Sequence, residues 1–286
     1  MSEYIEEDVG NIISLEHVNV QIPDQSVATL FYVMGLGFTR DPYLNVGLNN
    51  MWVNVGEQQF HLPTREPQVI DGHVGLVVPD LDALMARLES VAPGLKKSKY
   101  SFARNSDHVA VTSPWGNHYR CYGSQRDFGD MILGMPYVEF SVAPGAVEGI
   151  LRFYQVALGA PGAAETDAGG TVGRVKIGRD QCLLFRETEK PIAPYDGHHI
   201  AVYVANFSAP YAYLKSRGLI SEEVRNHQFR FKEIVDPNGG GAKFVLEHEV
   251  RSLRHPMYHR HFVNRDPAQS QRSYRRGWDA FTPFAR

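Results

Sequence analysis

One phrase occurs twice in this chain, as "DGHVGLVVPD" at residues 71–80 and as "DGHHIAVYVAN" at residues 196–206. Each copy places a histidine at the head of a short run in which apolar residues alternate with other residues, which is the pattern of a half-buried β-strand. A repeated phrase of this kind indicates a repeated structural unit.

The repeat extends beyond this phrase. The helix-like stretch "LFYVMGLGF" (30–38) matches "RFYQVALGA" (152–160), and the turn in "SPWGNHYR" (113–120) matches that in "DPNGGG" (236–241). Each half of the chain contains two copies of the order strand, helix, three strands. We therefore predict an α+β fold of two tandem modules, each made of paired βαβββ units, with four units in all.

The boundaries of these parts follow from the repeat. We predict an N-terminal tail (1–11), a first module (12–126), a linker (127–133), a second module (134–250) and a C-terminal extension rich in arginine and aromatic residues (251–286).

Composition narrows the class of protein. The chain has 286 residues, is 43% hydrophobic and 21% charged, and carries a net charge near −3, which gives no reason to expect nucleic acid as a partner. Two cysteines do not make a disulfide framework. The sequence begins without the basic and apolar segments of a signal peptide, and no apolar run approaches the length of a membrane span. We expect a cytoplasmic protein with no membrane partner.

The strand faces point to a binding cavity. In "LEHVNVQI" the alternation places His17 and Asn19 together on the face opposite Val18 and Val20. A face that bears histidine and asparagine is a poor core face and suits a solvated surface that binds a ligand.

Four βαβββ units with histidines on their first strands and Pro-x-Gly turns before their last strands resemble the vicinal oxygen chelate superfamily. That family includes glyoxalase I, the extradiol ring-cleaving dioxygenases and the fosfomycin and bleomycin resistance proteins. The resemblance implies that pairs of units curl their sheets around an open cavity. It also implies that metal ligands point inward from the first and last strands of each unit.

Two pairings of the units are open, and they give different metal sites. If unit 1 closes on unit 4, as in the hydroquinone-cleaving branch of the dioxygenases, His17, His199 and Glu247 form a facial triad of two histidines and a carboxylate, which is typical of non-haem Fe(II) oxygenases. The complementary pocket then holds His73, Arg120 and Glu139, and an arginine does not bind metal. We favour this pairing, although a strict count from the Pro-x-Gly turn reaches Lys243 and only an insertion brings Glu247 into place.

If the units pair in sequence order, as in the catechol-cleaving branch, Glu139 replaces His17 as the third ligand of the C-terminal site. The N-terminal pocket then holds His17, His61 and His73. The resemblance also suggests substrate and dioxygen contacts from the stretch before the last strand, where His227 and Arg230 are candidates. Tyr203, on the same strand face as His199, is a third candidate for the chemistry.

The resulting hypothesis is a metal-dependent dioxygenase of the extradiol type, with Fe(II) as the expected metal and a catechol- or hydroquinone-like aromatic and O₂ as substrates. Manganese, zinc, nickel and cobalt are the alternative metals. A glyoxalase-type isomerase, epimerase or lyase is the first alternative function, and a metal-free protein that binds a small molecule is the second. Because this fold often pairs subunits, we also expect a homo-oligomer.

Overall fold

The computed structural model describes residues 7–41, 49–124, 126–225 and 227–260. Four βαβββ units follow one another along the chain. The first contains β1 (Ile12–Asn19), α1 (Gln25–Ala28, continued by a π-helix over Thr29–Gly35), β2 (Thr39–Arg40), β3 (Asn50–Val55) and β4 (Gln58–Pro63). The second contains β5 (Gly72–Val77), α2 (Leu81–Leu95), β6 (Ser101–Arg104), β7 (Val109–Thr112) and β8 (His118–Tyr122), and a 3₁₀ turn follows at Arg126–Phe128.

The second half repeats this plan. The third unit contains β9 (Gly134–Val142), α3 (Val147–Leu158), β10 (Gly162–Asp167), β11 (Gly170–Lys176) and β12 (Cys182–Glu187). The fourth contains β13 (His199–Val204), α4 (Ser208–Ser216), β14 (Ile220–Val224), β15 (Gln228–Val235) and β16 (Ala242–Ser252). The predicted α+β fold of four βαβββ units is confirmed.

The sheets join units from opposite halves of the chain. One eight-stranded sheet has the order β14-β15-β16-β13-β1-β4-β3-β2, and the other has the order β10-β11-β12-β9-β5-β8-β7-β6. Unit 1 therefore pairs with unit 4 through β1 and β13, and unit 2 pairs with unit 3 through β5 and β9. The alternative in which units pair in sequence order does not describe these sheets. The predicted residue boundaries of the two modules stay a prediction.

Alternation along the strands separates the core from the cavity. Val18 and Val20 in the first unit and Ile200 and Val202 in the fourth are fully buried in the hydrophobic core. They lie on the face that the sequence assigned to packing, because side chains alternate between the two faces of a strand. The opposite face of this first sheet is left for polar side chains.

The aspartate-glycine pair of the repeated phrase has a structural role. Gly72 has a φ of 146°, and a Cβ there would lie 1.9 Å from the carbonyl oxygen of Glu139 on the neighbouring strand. Asp196, in the second copy, accepts hydrogen bonds from the backbone nitrogens of Val69 and His198. The phrase is thus a strand entry that requires glycine for its close approach and its left-handed backbone.

Helix α3 links the two sheets. It belongs to the third unit, yet Arg152 on it donates hydrogen bonds to both carboxylate oxygens of Asp236 in the turn between β15 and β16. The hydroxyl of Tyr154 lies 2.6 Å from Nε2 of His248 on β16. Both contacts join unit 3 to unit 4 across the interface between the sheets. None of the helices in the described ranges combines the length and the apolar character that crossing a bilayer requires.

Candidate metal centre

Three histidines from two units meet on one face of the first sheet. One ring nitrogen from each of His17, His61 and His199 lies within 4.8 Å of the others. Among the described residues this is the one group of three or more histidine, cysteine or acidic side chains with metal-binding spacing. His17 is fully buried, and the three rings meet edge to face.

Strand register explains why these residues meet. His61 on β4, Asn19 on β1, His199 on β13 and Glu247 on β16 lie side by side in one row across four adjacent strands. The next row of the same face contains Gln59, His17, Ala201 and Glu249. His17 therefore faces the gap between His61 and His199. The small side chain of Ala201 leaves room beside it.

Each histidine keeps one nitrogen available. The Nε2 atoms of His17, His61 and His199 are buried and have no hydrogen-bond partner. By contrast, Nδ1 of His17 is hydrogen-bonded to the carboxylate of Glu16, and Nδ1 of His61 lies 2.6 Å from the side-chain amide of Asn19. A buried polar atom without a partner is costly, so three of them in one place need an explanation. A bound cation supplies one.

The surroundings of His61 and His199 favour their neutral imidazoles. Burial lowers the pKa of both His61 and His199 well below the usual histidine value, and the proximity of His17 lowers both further. The ring of His61 also stacks on Trp52 with centroids 3.9 Å apart. A neutral imidazole with a free Nε2 is the form that coordinates metal, and a hydrogen bond at Nδ1 is its usual support.

Charged side chains border the cluster as a closed network. Arg251 donates from Nη1 to Glu16 at 2.8 Å and from Nε to Glu249 at 2.5 Å. Arg230 donates to Glu247 at 2.7 Å and to Glu249 at 2.6 Å. Burial opposes ionisation of these carboxyls, but Arg251 and His17 together outweigh it at Glu16 and lower its pKa to about 2. At Glu249, Arg251, His17 and Arg230 together hold the pKa well below its usual range. The network therefore contains ionised carboxylates that are already paired.

The group of three histidines differs in one member from the ligand set that the sequence predicts. The structure brings His61, which the sequence assigned to the alternative N-terminal site, together with His17 and His199. Glu247 instead lies with Oε1 3.7 Å from Nδ1 of His199, on the side of the ring away from the free Nε2. Strand register is the reason. In the row His61, Asn19, His199, Glu247, the β1 strand that carries His17 lies between His61 and His199, whereas Glu247 lies at the outer end of the row. Whether any of these residues binds metal stays a prediction.

His73 and Glu139 belong to the other sheet. They are paired partners on β5 and β9, so neither joins His17 or His199 in one group. The alternative sites that used Glu139 as the third ligand, or His73 as a partner of His17, do not form in this arrangement.

The three residues predicted to take part in the chemistry, Tyr203, Arg230 and His227, lie at different distances from the histidine cluster. Tyr203 is buried on β13 beyond Ala201, and its ring lies 4.9 Å from that of Tyr258 in the C-terminal extension. Arg230 lies at the border of the cluster, in contact with Glu247 and Glu249, and its contact with substrate or dioxygen stays a prediction. His227 is exposed in the turn before β15, with a φ of 61°.

The C-terminal extension forms a wall beside the cluster. Met257 packs on Trp52, and Arg260 pairs with Asp41, which is fully buried. A cavity of about 790 Å³ lies between this segment and β1, and Glu16 and Tyr203 are among its lining residues. This volume falls in the range of small-molecule sites. Of the aromatic residues of the extension, Tyr258 lines this cavity. The others, Phe262, Tyr274, Trp278, Phe281 and Phe284, lie outside the described residues.

Solved structures share this architecture. A protein of Bacillus subtilis named as a candidate dioxygenase matches 92% of this chain and 89% of its own, with a TM-score of 0.57 and 14% identity. Glyoxalase I of Zea mays matches 83% of this chain and 92% of its own, with a TM-score of 0.57 and 13% identity. The chain has the vicinal oxygen chelate fold. At these identities the likeness shows the fold alone, and neither a family model nor a curated protein matches the sequence.

Sequence reasoning missed two charged residues beside the histidine cluster. Glu16 was assigned no role, because strict alternation places it on the core face. A register shift between Leu15 and His17 turns it toward the cavity instead. Arg251 was counted in the C-terminal extension, although β16 continues through it. The sequence does contain a signal. In "LEHEVR" (246–251) every second residue is charged, at 247, 249 and 251, and residues two apart lie on the same face of a strand.

Proposed function

We propose that this protein is a metal-dependent dioxygenase of the extradiol type, which acts on a catechol- or hydroquinone-like aromatic. The observation that supports it most is the convergence of three buried, unpartnered Nε2 atoms from His17, His61 and His199. A set of imidazole ligands suits iron, zinc, copper and nickel. A bound ferrous ion would supply open coordination positions at which two substrate oxygens and dioxygen meet.

The chain's own residues prepare this site. Glu16 accepts a hydrogen bond from Nδ1 of His17 and so fixes the tautomer that leaves the Nε2 lone pair free. At His61 the amide nitrogen of Asn19 faces Nδ1, so that only a turned amide, with its oxygen toward Nδ1, would give His61 the same tautomer. Burial raises the pKa of the Tyr203 hydroxyl, so it stays protonated at neutral pH and remains a hydrogen-bond donor on the cavity wall.

The paired carboxylates disfavour the glyoxalase-type alternative. That reaction needs a carboxylate that takes up and returns a proton, and Glu139 is the carboxylate that the sequence offers as an alternative ligand. Glu139 lies on the second sheet, and Glu249, which is nearer, is held by Arg230 and Arg251. A carboxylate whose pKa is well below the usual range is a weak base at neutral pH.

Anaerobic purification followed by metal analysis and oxygen uptake tests the proposal. We expect one iron per chain and uptake of dioxygen with a catechol or a hydroquinone, both lost in His199→Ala and both kept in His73→Ala. Zinc, nickel or cobalt without uptake would favour the glyoxalase-type alternative. A chain that binds no divalent metal would contradict both enzyme proposals and favour the metal-free binding protein.

A further inference from the structure

The cavity of about 790 Å³ beside the C-terminal extension continues the strand face that bears the histidines. Ala201 and Gln59 share a row with His17. Tyr203 lies two residues beyond Ala201, Glu57 lies two residues before Gln59, and both line the cavity. Residues two apart on a strand point to the same face and lie roughly 7 Å apart. A ring held beside the histidines would therefore extend its substituent into this cavity.

One buried hydroxyl in the cavity lacks a partner. Tyr203 is 3% exposed, and Arg251 lies near its hydroxyl, yet no atom of the described residues makes a hydrogen bond with that hydroxyl. Burying a polar group without a partner is costly, so such a group needs an explanation. A polar atom of a bound molecule supplies one. The cavity is therefore suited to a ligand and not only to solvent.

The arginines that line this cavity are already paired. Arg179 forms an ion pair with Asp180, and Arg260 forms one with Asp41. Because each guanidinium faces a carboxylate of the chain itself, neither is available to a carboxylate of a ligand. The lining thus offers no obvious site for an anionic substituent.

Two carboxylates of the same lining are available. Glu57 and Asp130 are exposed, and neither makes an ion pair or a side-chain hydrogen bond with the residues that the structure describes. Glu16, the third glutamate or aspartate on this side of the cavity, is instead held by Arg251. Unpaired carboxylates attract a cation and repel an anion.

Aromatic faces add to this preference. The rings of Tyr203 and Tyr258 lie 4.9 Å apart, and both line the cavity. The face of a tyrosine ring attracts an ammonium group. Met131 and Leu133 supply apolar lining beside them. The cavity therefore suits a short apolar stem that ends in a positive charge.

We propose that the substrate of the histidine site is an aromatic diol with a short side chain that ends in an ammonium group. Its ring lies beside the histidines, and its ammonium group faces Glu57, Asp130 and the two tyrosine rings. The inference rests on the proposed function, because it names the substrate class of the same site.

Calorimetric titration of the zinc-loaded full-length protein, without oxygen, tests this with three catechols that differ mainly in side-chain charge: dopamine, 4-ethylcatechol and dihydrocaffeate. The titrations are run at about pH 8, where free imidazole is neutral and an alkylammonium group keeps its charge. We expect dopamine to bind roughly tenfold tighter than dihydrocaffeate, with 4-ethylcatechol between them. The difference should shrink at about 0.5 M salt, because exposed carboxylates are screened.

The possible failures separate the inference from the proposed function. Equal affinity for the three catechols, or tightest binding of dihydrocaffeate, overturns the inference and leaves the proposed function standing. A protein that takes up no zinc, or that takes up zinc and binds none of the three, overturns the proposed function and the inference with it.

Variants of the lining locate the effect. Glu57→Gln combined with Asp130→Asn should reduce the preference for dopamine over dihydrocaffeate to less than about threefold and leave 4-ethylcatechol unchanged. Glu89→Gln, which removes an exposed charge on α2, should change none of the three affinities. Tyr203→Phe should weaken all three by a common factor, because it removes a hydrogen bond and no charge. Binding that the double variant and Tyr203→Phe both leave unchanged places the ligand elsewhere and overturns the assignment.

Discussion

The imidazole rings of His17 and His199 lie with their centroids 5.6 Å apart, although the residues come from the first and the fourth unit of the chain. The antiparallel pairing of β1 with β13 creates this relationship. The candidate metal centre therefore lies at the interface between unit 1 and unit 4. These two units must pair before the three histidines can come together.

The identity of the third ligand can be tested directly. We expect His61→Ala to weaken zinc binding by more than the roughly 10–100-fold that loss of an outer partner causes, because it removes one of three free Nε2 donors. Competition with a chromogenic chelator measures this. His73→Ala is the control, since its imidazole lies on the other sheet. If Glu247→Gln abolishes binding while His61→Ala does not, the facial triad expected from the sequence is the right set.

Arg251 should be important for stability. Replacing it by methionine leaves Glu16 and Glu249 buried without their common partner, so we expect a loss of about 3–5 kcal/mol in the free energy of unfolding. Urea denaturation measures this value. Arg104→Met, which breaks an exposed ion pair with Asp82, should cost less than about 1 kcal/mol. A similar cost for the two variants would show that the buried network contributes little.

Metal should stabilise the folded chain. A ligand present at 100 times its dissociation constant adds about 2.7 kcal/mol when it binds only the native state. Zinc should therefore shift the urea midpoint upward, EDTA should reverse the shift, and His199→Ala should abolish it. A shift of the same size in His199→Ala would mean that the ion binds elsewhere.

The contact between Arg152 and Asp236 predicts a pH dependence. The hydrogen bond from Arg152 lowers the pKa of Asp236 from 3.8 to about 2. A lowered folded-state pKa contributes stability that is fully present above pH 3.8 and is lost as the pH falls toward 2. Asp236→Asn should thus lose stability at neutral pH and show a shallower acid dependence between these values. If the free energy of unfolding of Asp236→Asn depends on pH between these values as steeply as that of the unchanged protein, Asp236 does not contribute to the acid dependence.

Much of the fold follows from the sequence, because the repeated phrase and the alternation of Val18, Val20, Ile200 and Val202 are local signals. Pairing of the units is not local. The same four units can close in two ways, and the choice depends on long-range strand pairing such as that of β1 with β13.

The site is harder to predict from the sequence, because it too depends on long-range strand pairing. His17 and His199 follow from their place in the repeat, but His61 joins them only through the register of β4 against β1. Glu16 faces the cavity because of a register shift that strict alternation does not anticipate. Such shifts depend on tertiary context rather than on residue type.

A crystal soaked with zinc and measured at the zinc absorption edge tests the central claim most directly. The account predicts one strong anomalous peak per chain, bonded to Nε2 of His17, His61 and His199, and no comparable peak near His73 and Glu139. A protein that takes up no zinc at the cluster, or that binds it on the second sheet, would contradict the assignment.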